Sequence, residues 1–224
     1  VVFSMRDYTK NLLEECPDEL LMGGVATSSA GNHIFNVNPK APKLNEEKAE
    51  IFHHLVAKLL YLSKRTRPDI QLPVAFLTTR VREPDIDDWK KLGRCLCYLK
   101  DNRDLDLTLE ITLPFIIRWW IDAAYGVHRD CKSHTGAAMS LGKGCPINGS
   151  RKQRINTRSS TEAELVGVND YMTMVLWVRL FLEAQGIEVV DNIIYQDNKS
   201  TMLLEKNGRQ SSGKKTRHFD IRYY

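Results

Sequence analysis

Apolar positions recur at helical spacing along the first hundred residues. Residues 7–15 carry a short amphipathic pattern. Over 46–64, Ile51, Leu55, Leu59 and Leu62 fall at intervals of four, four and three, which predicts a helix. Pro68 breaks it, because proline pushes the preceding residue out of helical backbone. A second helix is expected over 69–81, closed by Pro84. The third, over 85–99, sets Trp89, Leu92, Leu96 and Leu99 on one stripe able to seal a helical core. Between these elements, 23–45 is polar with Gly and Ser and reads as an irregular connection.

The period changes after Asp101-Asn102. Residues 105–111 alternate, and 115–121 form a second strand-like run. Further strands are expected at 137–141 and 152–157, joined through a glycine-containing turn at 142–149. A long helix over 161–185 carries Leu165, Val168, Met172, Val175, Leu176, Leu180 and Leu182, with Gly186 suited to its C′ position. A strand at 192–196 and a helix at 198–205, ended by Asn207-Gly208, complete the series. Strands, long helix, strand, helix is an α/β order. The expected organisation is therefore a helical region, 1–103, followed by a mixed β-sheet region, 104–224. No apolar run approaches the roughly 20 residues that span a bilayer, and the longest, 111–121, is interrupted by Pro114 and Arg118.

Composition changes this picture little. The 224 residues suffice for one large or two small domains, and 42% hydrophobic with 27% charged residues is ordinary for a soluble globular chain. The net charge of +4 permits nucleic-acid binding without demanding it. Local basic groups say more: Lys64, Arg65 and Arg67; Arg151, Lys152 and Arg154; Lys214, Lys215 and Arg217. Each reads as a solvated face or, taken together, as a phosphate-tracking surface. Five cysteines without framework spacing read as free thiols of an intracellular, cytoplasmic or nuclear protein.

Three acids stand out. Asp122 ends the strand-like run 116–121, Asp197 ends 192–196, and Glu164 lies in the first turns of the long helix. A carboxylate at the end of a buried strand costs solvation unless hydrogen-bonded, paired or bound to a cation. Three together suit a hard divalent ion. Glu162 competes with Glu164, but it better fits a capping partner for Ser159, with Ser160 and Thr161 completing an N-cap cluster. Asn198 and Ser200 open the last helix, whose N-terminus is a natural phosphate site. Asp85, Asp87 and Asp88 mimic a paired-aspartate motif, yet in a first helical turn they simply complement the macrodipole.

Several motifs occur in a fixed order: Trp120-Ile121-Asp122-Ala123-Ala124-Tyr125-Gly126, Ser133-His134-Thr135-Gly136, Ser159-Ser160-Thr161-Glu162-Ala163-Glu164-Leu165, Tyr195-Gln196-Asp197-Asn198-Lys199-Ser200, and Lys215-Thr216-Arg217-His218-Phe219-Asp220-Ile221-Arg222-Tyr223. The set resembles the ribonuclease H domain of copia-type LTR retrotransposon polyproteins. Upstream, Arg65-Thr66-Arg67-Pro68-Asp69-Ile70 and Cys97-Tyr98-Leu99-Lys100 resemble the same polyprotein between polymerase palm and ribonuclease H. The resemblance implies an α/β protein: a helical thumb or connection segment, then a ribonuclease H-like mixed sheet. It implies that Asp122, Glu164 and Asp197 hold two Mg²⁺ ions, with Mn²⁺ as a substitute, and hydrolyse the RNA strand of an RNA–DNA hybrid. Ser133, Thr135, Ser159, Ser160, Thr161, Asn198 and Ser200 would contact that hybrid or a template–primer duplex. The remainder of the Pol polyprotein would be a partner, virus-like particles a location, and a membrane would not be involved.

In that family a fourth acid follows one more strand. The segment with His218 and Asp220 matches the helix before it, so these two are secondary candidates and the domain is expected to be incomplete at its C-terminus. The alternative is a retroelement remnant that binds nucleic acid without cutting it. An integrase or transposase core carries its Glu last, whereas here Glu164 falls between the two aspartates.

Overall fold

In the computed structural model, which describes residues 1–24 and 27–207, the chain divides into two units, Val1–Thr108 and Leu109–Tyr224. The first is helical. A two-strand ribbon of β1 (Val2–Phe3) and β2 (Leu107–Thr108) accompanies helices α1 (Arg6–Glu14), α2 (Asp18–Leu21), α3 (Glu46–Arg65), α4 (Gln71–Thr78) and α5 (Ile86–Asp101). The Asn45 side chain caps α3 by accepting from the Lys48 N–H. Glu46 and Glu47 at its start and Lys64 and Arg65 at its end complement the helix dipole. The helix expected over 69–81 is shorter, because Pro68 opens a 3₁₀ turn, Pro68–Ile70, before α4 begins. At the other end Thr78 and Thr79 turn their hydroxyls back onto the carbonyls of Ala75 and Phe76. Asp85 caps α5 in a reciprocal capping box with Asp88.

The stripes read from the sequence meet in one core, where Phe52, Leu55, Leu59, Leu62, Val74, Leu77, Leu92, Leu96 and Leu99 are buried. Truncating one such leucine to alanine costs about 2–5 kcal/mol. The buried charges of this unit are paired. Arg67 meets Asp69 at 2.7 Å and donates to the Asn102 carbonyl at 2.9 Å. Arg80 bridges Asp85 at 3.0 Å and Asp88 at 2.8 Å. The basic group Lys64–Arg65–Arg67 is thus not a single phosphate-facing surface: Arg67 is buried and committed to Asp69.

The second unit is built on a sheet. In chain order come β3 (Glu110–Ile111), β4 (Ile116–Ala124), β5 (His134–Ser140), β6 (Gly142–Lys143), β7 (Ile147–Lys152), α6 (Ser160–Ala184), β8 (Asp191–Tyr195) and α7 (Lys199–Asn207). Strand order is β7-β5-β4-β8, with β8 parallel to β4 and the other pairs antiparallel; β3 and β6 form a small separate ribbon. Along β4 the inward residues Ile117, Trp119, Ile121 and Ala123 are buried, and the outward Trp120, Asp122 and Ala124 are exposed, the alternation of a sheet covered on one face. α6 supplies the cover through Val168, Tyr171, Val175 and Val178. Gly186, at φ +79°, ends α6 in the left-handed backbone expected of it.

Four expectations change. The strand expected at 152–157 lies instead at 147–152, because Gln153 leaves the ladder and turns inward: its amide donates to Thr135 Oγ1 and to the Ala163 carbonyl. The alternating run 105–111 is divided between two short ribbons. β4 also continues past Asp122, since Ala123 and Ala124 pair with Thr135 and His134. By length and composition α6 is apolar enough to cross a membrane, contrary to the expectation from apolar runs. Its first half is nevertheless buried on the sheet and carries Glu162 and Glu164, while Met174, Trp177 and Phe181 farther along are exposed.

Candidate functional site

Three elements deliver one carboxylate each to a common point. Parallel pairing sets Trp120 beside Tyr195, and their rings stack at 5.3 Å. Asp122 and Asp197 each follow two residues later, so both emerge beyond the same pair at the same end of the sheet. Glu164 comes from the opposite direction, on the buried face of α6. Gly167, one turn farther on that face, permits the approach: a Cβ there would stand 3.2 Å from the Thr135 methyl and 3.6 Å from Ala123 Cβ. A carboxylate oxygen of Asp122, of Glu164 and of Asp197 all lie within 4.8 Å of one another.

The electrostatics of the cluster are unbalanced. Burial pushes the Glu164 carboxyl up to about 7, and the charges of Asp122 and Asp197 push the same way, against hydrogen bonds from Gln196 and the Ala123 backbone. Gln196 Nε2 donates to Glu164 Oε2 at 3.2 Å. Among the described residues, no Lys, Arg or His forms an ion pair with any of the three acids. An all-oxygen donor set, crowded and without a counter-cation, fits a hard divalent ion. Glu162 is separate: its N–H donates to Ser159 Oγ, and its carboxylate accepts from the Arg158 N–H at 2.6 Å. It serves the helix start, as its spacing from Ser159 predicts.

Two helix N-termini flank the cluster. Ser159 caps α6, and Ser160 and Thr161 follow at its first positions. Asn198 Oδ1 accepts from the N–H groups of Ser200 and Thr201, capping α7. Thr201 Oγ1 donates to the Thr161 carbonyl, and the Asn198 amide reaches Thr161 Oγ1 at 3.5 Å. Ser159, Ser160, Thr161, Asn198 and Ser200 therefore share one end of the unit with the acids.

Ser133 and Thr135 do not join them at the surface. Both are fully buried. Ser133 Oγ accepts from the Gly126 N–H and pairs with Thr157 Oγ1, while Thr135 Oγ1 accepts from Gln153. Their hydroxyls fasten the loop after β4 rather than reaching a substrate. Beside them His128 Nε2 and His134 Nδ1 stand 3.1 Å apart, and His134 Nε2 meets Ser150 Oγ at 2.7 Å. Among basic residues expected on a surface, Arg151 pairs with Asp170 and lies over the Tyr171 ring, and Lys152 pairs with Asp130. His218, Asp220 and the group Lys214–Lys215–Arg217 lie outside the described residues. Gln196 and Gln153 are the positioning groups that the sequence pattern did not single out. Gln196 had one available signal, its place immediately before Asp197.

The class the geometry defines is an α/β unit with three convergent carboxylates at one end of a mixed sheet. By sequence the chain is a relative of copia-type transposon Pol polyproteins. It is 27% identical over 205 residues to the retrovirus-related Pol polyprotein from transposon TNT 1-94 of Nicotiana tabacum, a match covering 89% of this chain and 15% of that protein. To the Pol polyprotein from transposon RE2 of Arabidopsis thaliana it is 31% identical over 209 residues, 91% of this chain and 14% of that protein. To the putative transposon Ty5-1 protein of Saccharomyces cerevisiae it is 29% identical over 121 residues, 53% of this chain and 39% of that protein. The chain thus spans well under half the length of these relatives. No protein-family model and no solved structure matches it.

Proposed function

We propose that the sheet unit is a ribonuclease H-like domain that hydrolyses the RNA strand of RNA–DNA hybrids, and that the helical unit is a thumb or connection segment of a retrotransposon Pol polyprotein. The observation that carries this reading is the meeting of Asp122, Glu164 and Asp197 carboxylates within 4.8 Å. These three would hold divalent cations, Mg²⁺ or Mn²⁺. Bound there, a metal pair supplies an activated water and stabilisation of charge on the leaving oxygen.

The protein's own contribution is position. Gln196 orients Glu164 through its amide. The starts of α6 and α7, capped by Ser159 and Asn198, lie at the same end of the unit as the acids, where their positive dipole ends would favour the charge of a phosphodiester. The hydroxyls of Ser160, Thr161 and Ser200 are suited to the phosphates and to the 2′-hydroxyl by which RNA differs from DNA.

The test is cleavage of a labelled RNA–DNA hybrid by the purified chain in Mg²⁺ and in Mn²⁺, beside Asp122→Asn. The reading requires cleavage that the substitution removes while hybrid binding persists. Binding without cleavage in either metal would leave a nucleic-acid-binding remnant and overturn the nuclease assignment.

A further inference from the structure

Gln153 follows the last residue of β7 and is almost wholly buried. Its backbone N–H donates to the Ser133 carbonyl at 2.8 Å. Its side-chain amide donates to Thr135 Oγ1 at 2.9 Å and to the Ala163 carbonyl at 2.8 Å. The Oε1 atom, by contrast, is buried and meets no donor among the described residues. The amide cannot be turned over to serve it, because Oε1 would then face the Ala163 carbonyl, acceptor against acceptor. A buried acceptor left without a donor is costly. A leucine of similar volume would fill the space without that cost, so what the glutamine contributes is its donors.

Those donors close a ring of contacts. Ala163 immediately precedes Glu164 in the first turns of α6. Glu164 accepts from the Ala123 N–H on β4. Ala123 pairs with Thr135 on β5, and Thr135 accepts from Gln153. All five residues are buried, where a hydrogen bond is electrostatically stronger than in water. Gly167 lets helix and sheet come this near, since a Cβ there would stand 3.2 Å from the Thr135 methyl. The Ala163 carbonyl is also the acceptor for the helix's own N–H four residues on. The bond from Gln153 is therefore not needed to build α6. It fixes where α6 sits on the sheet.

That position matters to one carboxylate above the others. Asp122 lies on β4 and Asp197 follows β8, two strands joined side by side. Glu164 arrives from the helical layer, so its distance from the aspartates is set by the spacing between helix and sheet. Mg²⁺ holds its oxygens at about 2.0–2.1 Å and tolerates little departure. A small slide of α6 would withdraw a ligand.

We propose that Gln153 is a positioning residue for Glu164: by clasping Ala163 to Thr135 it sets the height of α6 above β4 and β5, and so keeps the Glu164 carboxylate in reach of a cation shared with Asp122 and Asp197. The inference rests on the reading that these acids bind divalent cations, and it makes their affinity depend on a residue that is not itself a ligand.

The test is Mn²⁺ binding by the full chain without nucleic acid, read from the electron paramagnetic resonance signal of the free ion. Gln153→Leu removes both side-chain donors and is expected to weaken Mn²⁺ binding about ten-fold or more. The double variant Gln153→Leu/Thr135→Val also removes the hydroxyl that leucine leaves unpaired. It should regain part of the lost thermal midpoint, yet bind Mn²⁺ as weakly as the single variant. Should leucine prevent folding, Gln153→Met gives the same comparison, because a thioether fills the volume and donates nothing. Wild-type affinity in Gln153→Leu overturns the positioning role and leaves the cation site standing. Recovery of affinity together with the midpoint in the double variant overturns it as well, since the loss would then come from an unpaired hydroxyl. A wild-type chain that binds no Mn²⁺, or binds it equally well after Asp122→Asn, overturns the cation site itself.

Discussion

The two units handle acidic residues in opposite ways. In the helical unit, Asp85 and Asp88 are almost wholly buried, and Arg80 reaches both. Asp69 likewise is held by Arg67. In the sheet unit, Asp122, Glu164 and Asp197 face one another, and among the described residues the contacts that favour the charged form of Glu164 are hydrogen bonds from Gln196 and the Ala123 backbone. A buried acid with its own arginine is a fastening. Three acids without one repel one another, and each raises the cost of ionising the next. The same side chain is structural or chemical according to what the fold sets opposite it.

The comparison breaks most visibly at Asp122. Replacing it by Asn should lower hybrid cleavage by roughly a hundred- to a thousand-fold, yet leave the urea midpoint unchanged or slightly raised, since a like charge is removed from beside Glu164. A marked loss of stability would mean that Asp122 is a fastening too. The converse substitution is Arg80→Ala. It strands Asp85 and Asp88 in the helical core, and the expected cost is about 3–5 kcal/mol in urea unfolding. If the loss is within a few tenths, the buried acids of that unit are not held by their arginine.

The histidine pair sharpens the contrast on the pH axis. Burial, then the neighbouring His128, draws His134 down to about 4 from its ordinary 6.5. The unfolded chain therefore binds a proton between these values that the folded chain refuses. The stability contributed by keeping His134 neutral is complete above about 6.5 and is lost as pH falls toward about 4, on the order of 2–3 kcal/mol. Urea titrations at stepwise lower pH should reveal this decline, and His134→Gln should flatten it. A decline of equal size in the variant would assign the effect elsewhere.

The smallest test asks whether the units agree where they ought to. Asn45 caps α3 and Ser159 caps α6, each accepting a backbone N–H. Alanine at either should cost about 1 kcal/mol. A much larger loss at Ser159 alone would show that this turn does more than start a helix.

Legibility followed the same division. Helices α3 and α5 could be read closely because each buries a continuous stripe, and the period survives in the sequence; on α6 the ends were legible but Leu176 and Leu180, expected on the stripe, are exposed, and Tyr171 and Val178 are buried instead. β7 could not: Ile147–Lys152 reads INGSRK, with no alternation of its own, and is a strand because β5 pairs with it. The grouping of the three acids was legible because Asp122 and Asp197 fall at or near the ends of apolar strand runs and Glu164 lies in the first turns of the long helix. Ser133 and Thr135 were placed against a hybrid by resemblance alone, and their burial was not legible because their partners, Thr157 and Gln153, are far along the chain. Arg67 and Arg151 misled likewise, since sequence proximity groups cations that tertiary structure assigns to separate carboxylates.

The parallel pairing of β4 and β8 has a consequence for how such a chain tolerates added residues. Extra residues between Gly186 and Asp191 would enlarge a loop at the end of β8 remote from the acids, and the strand would still arrive in register. A single residue inserted between Tyr195 and Asp197 would instead carry the carboxylate one residue farther from the last paired position and out of its place beside Asp122. Length is free before β8 and fixed after it.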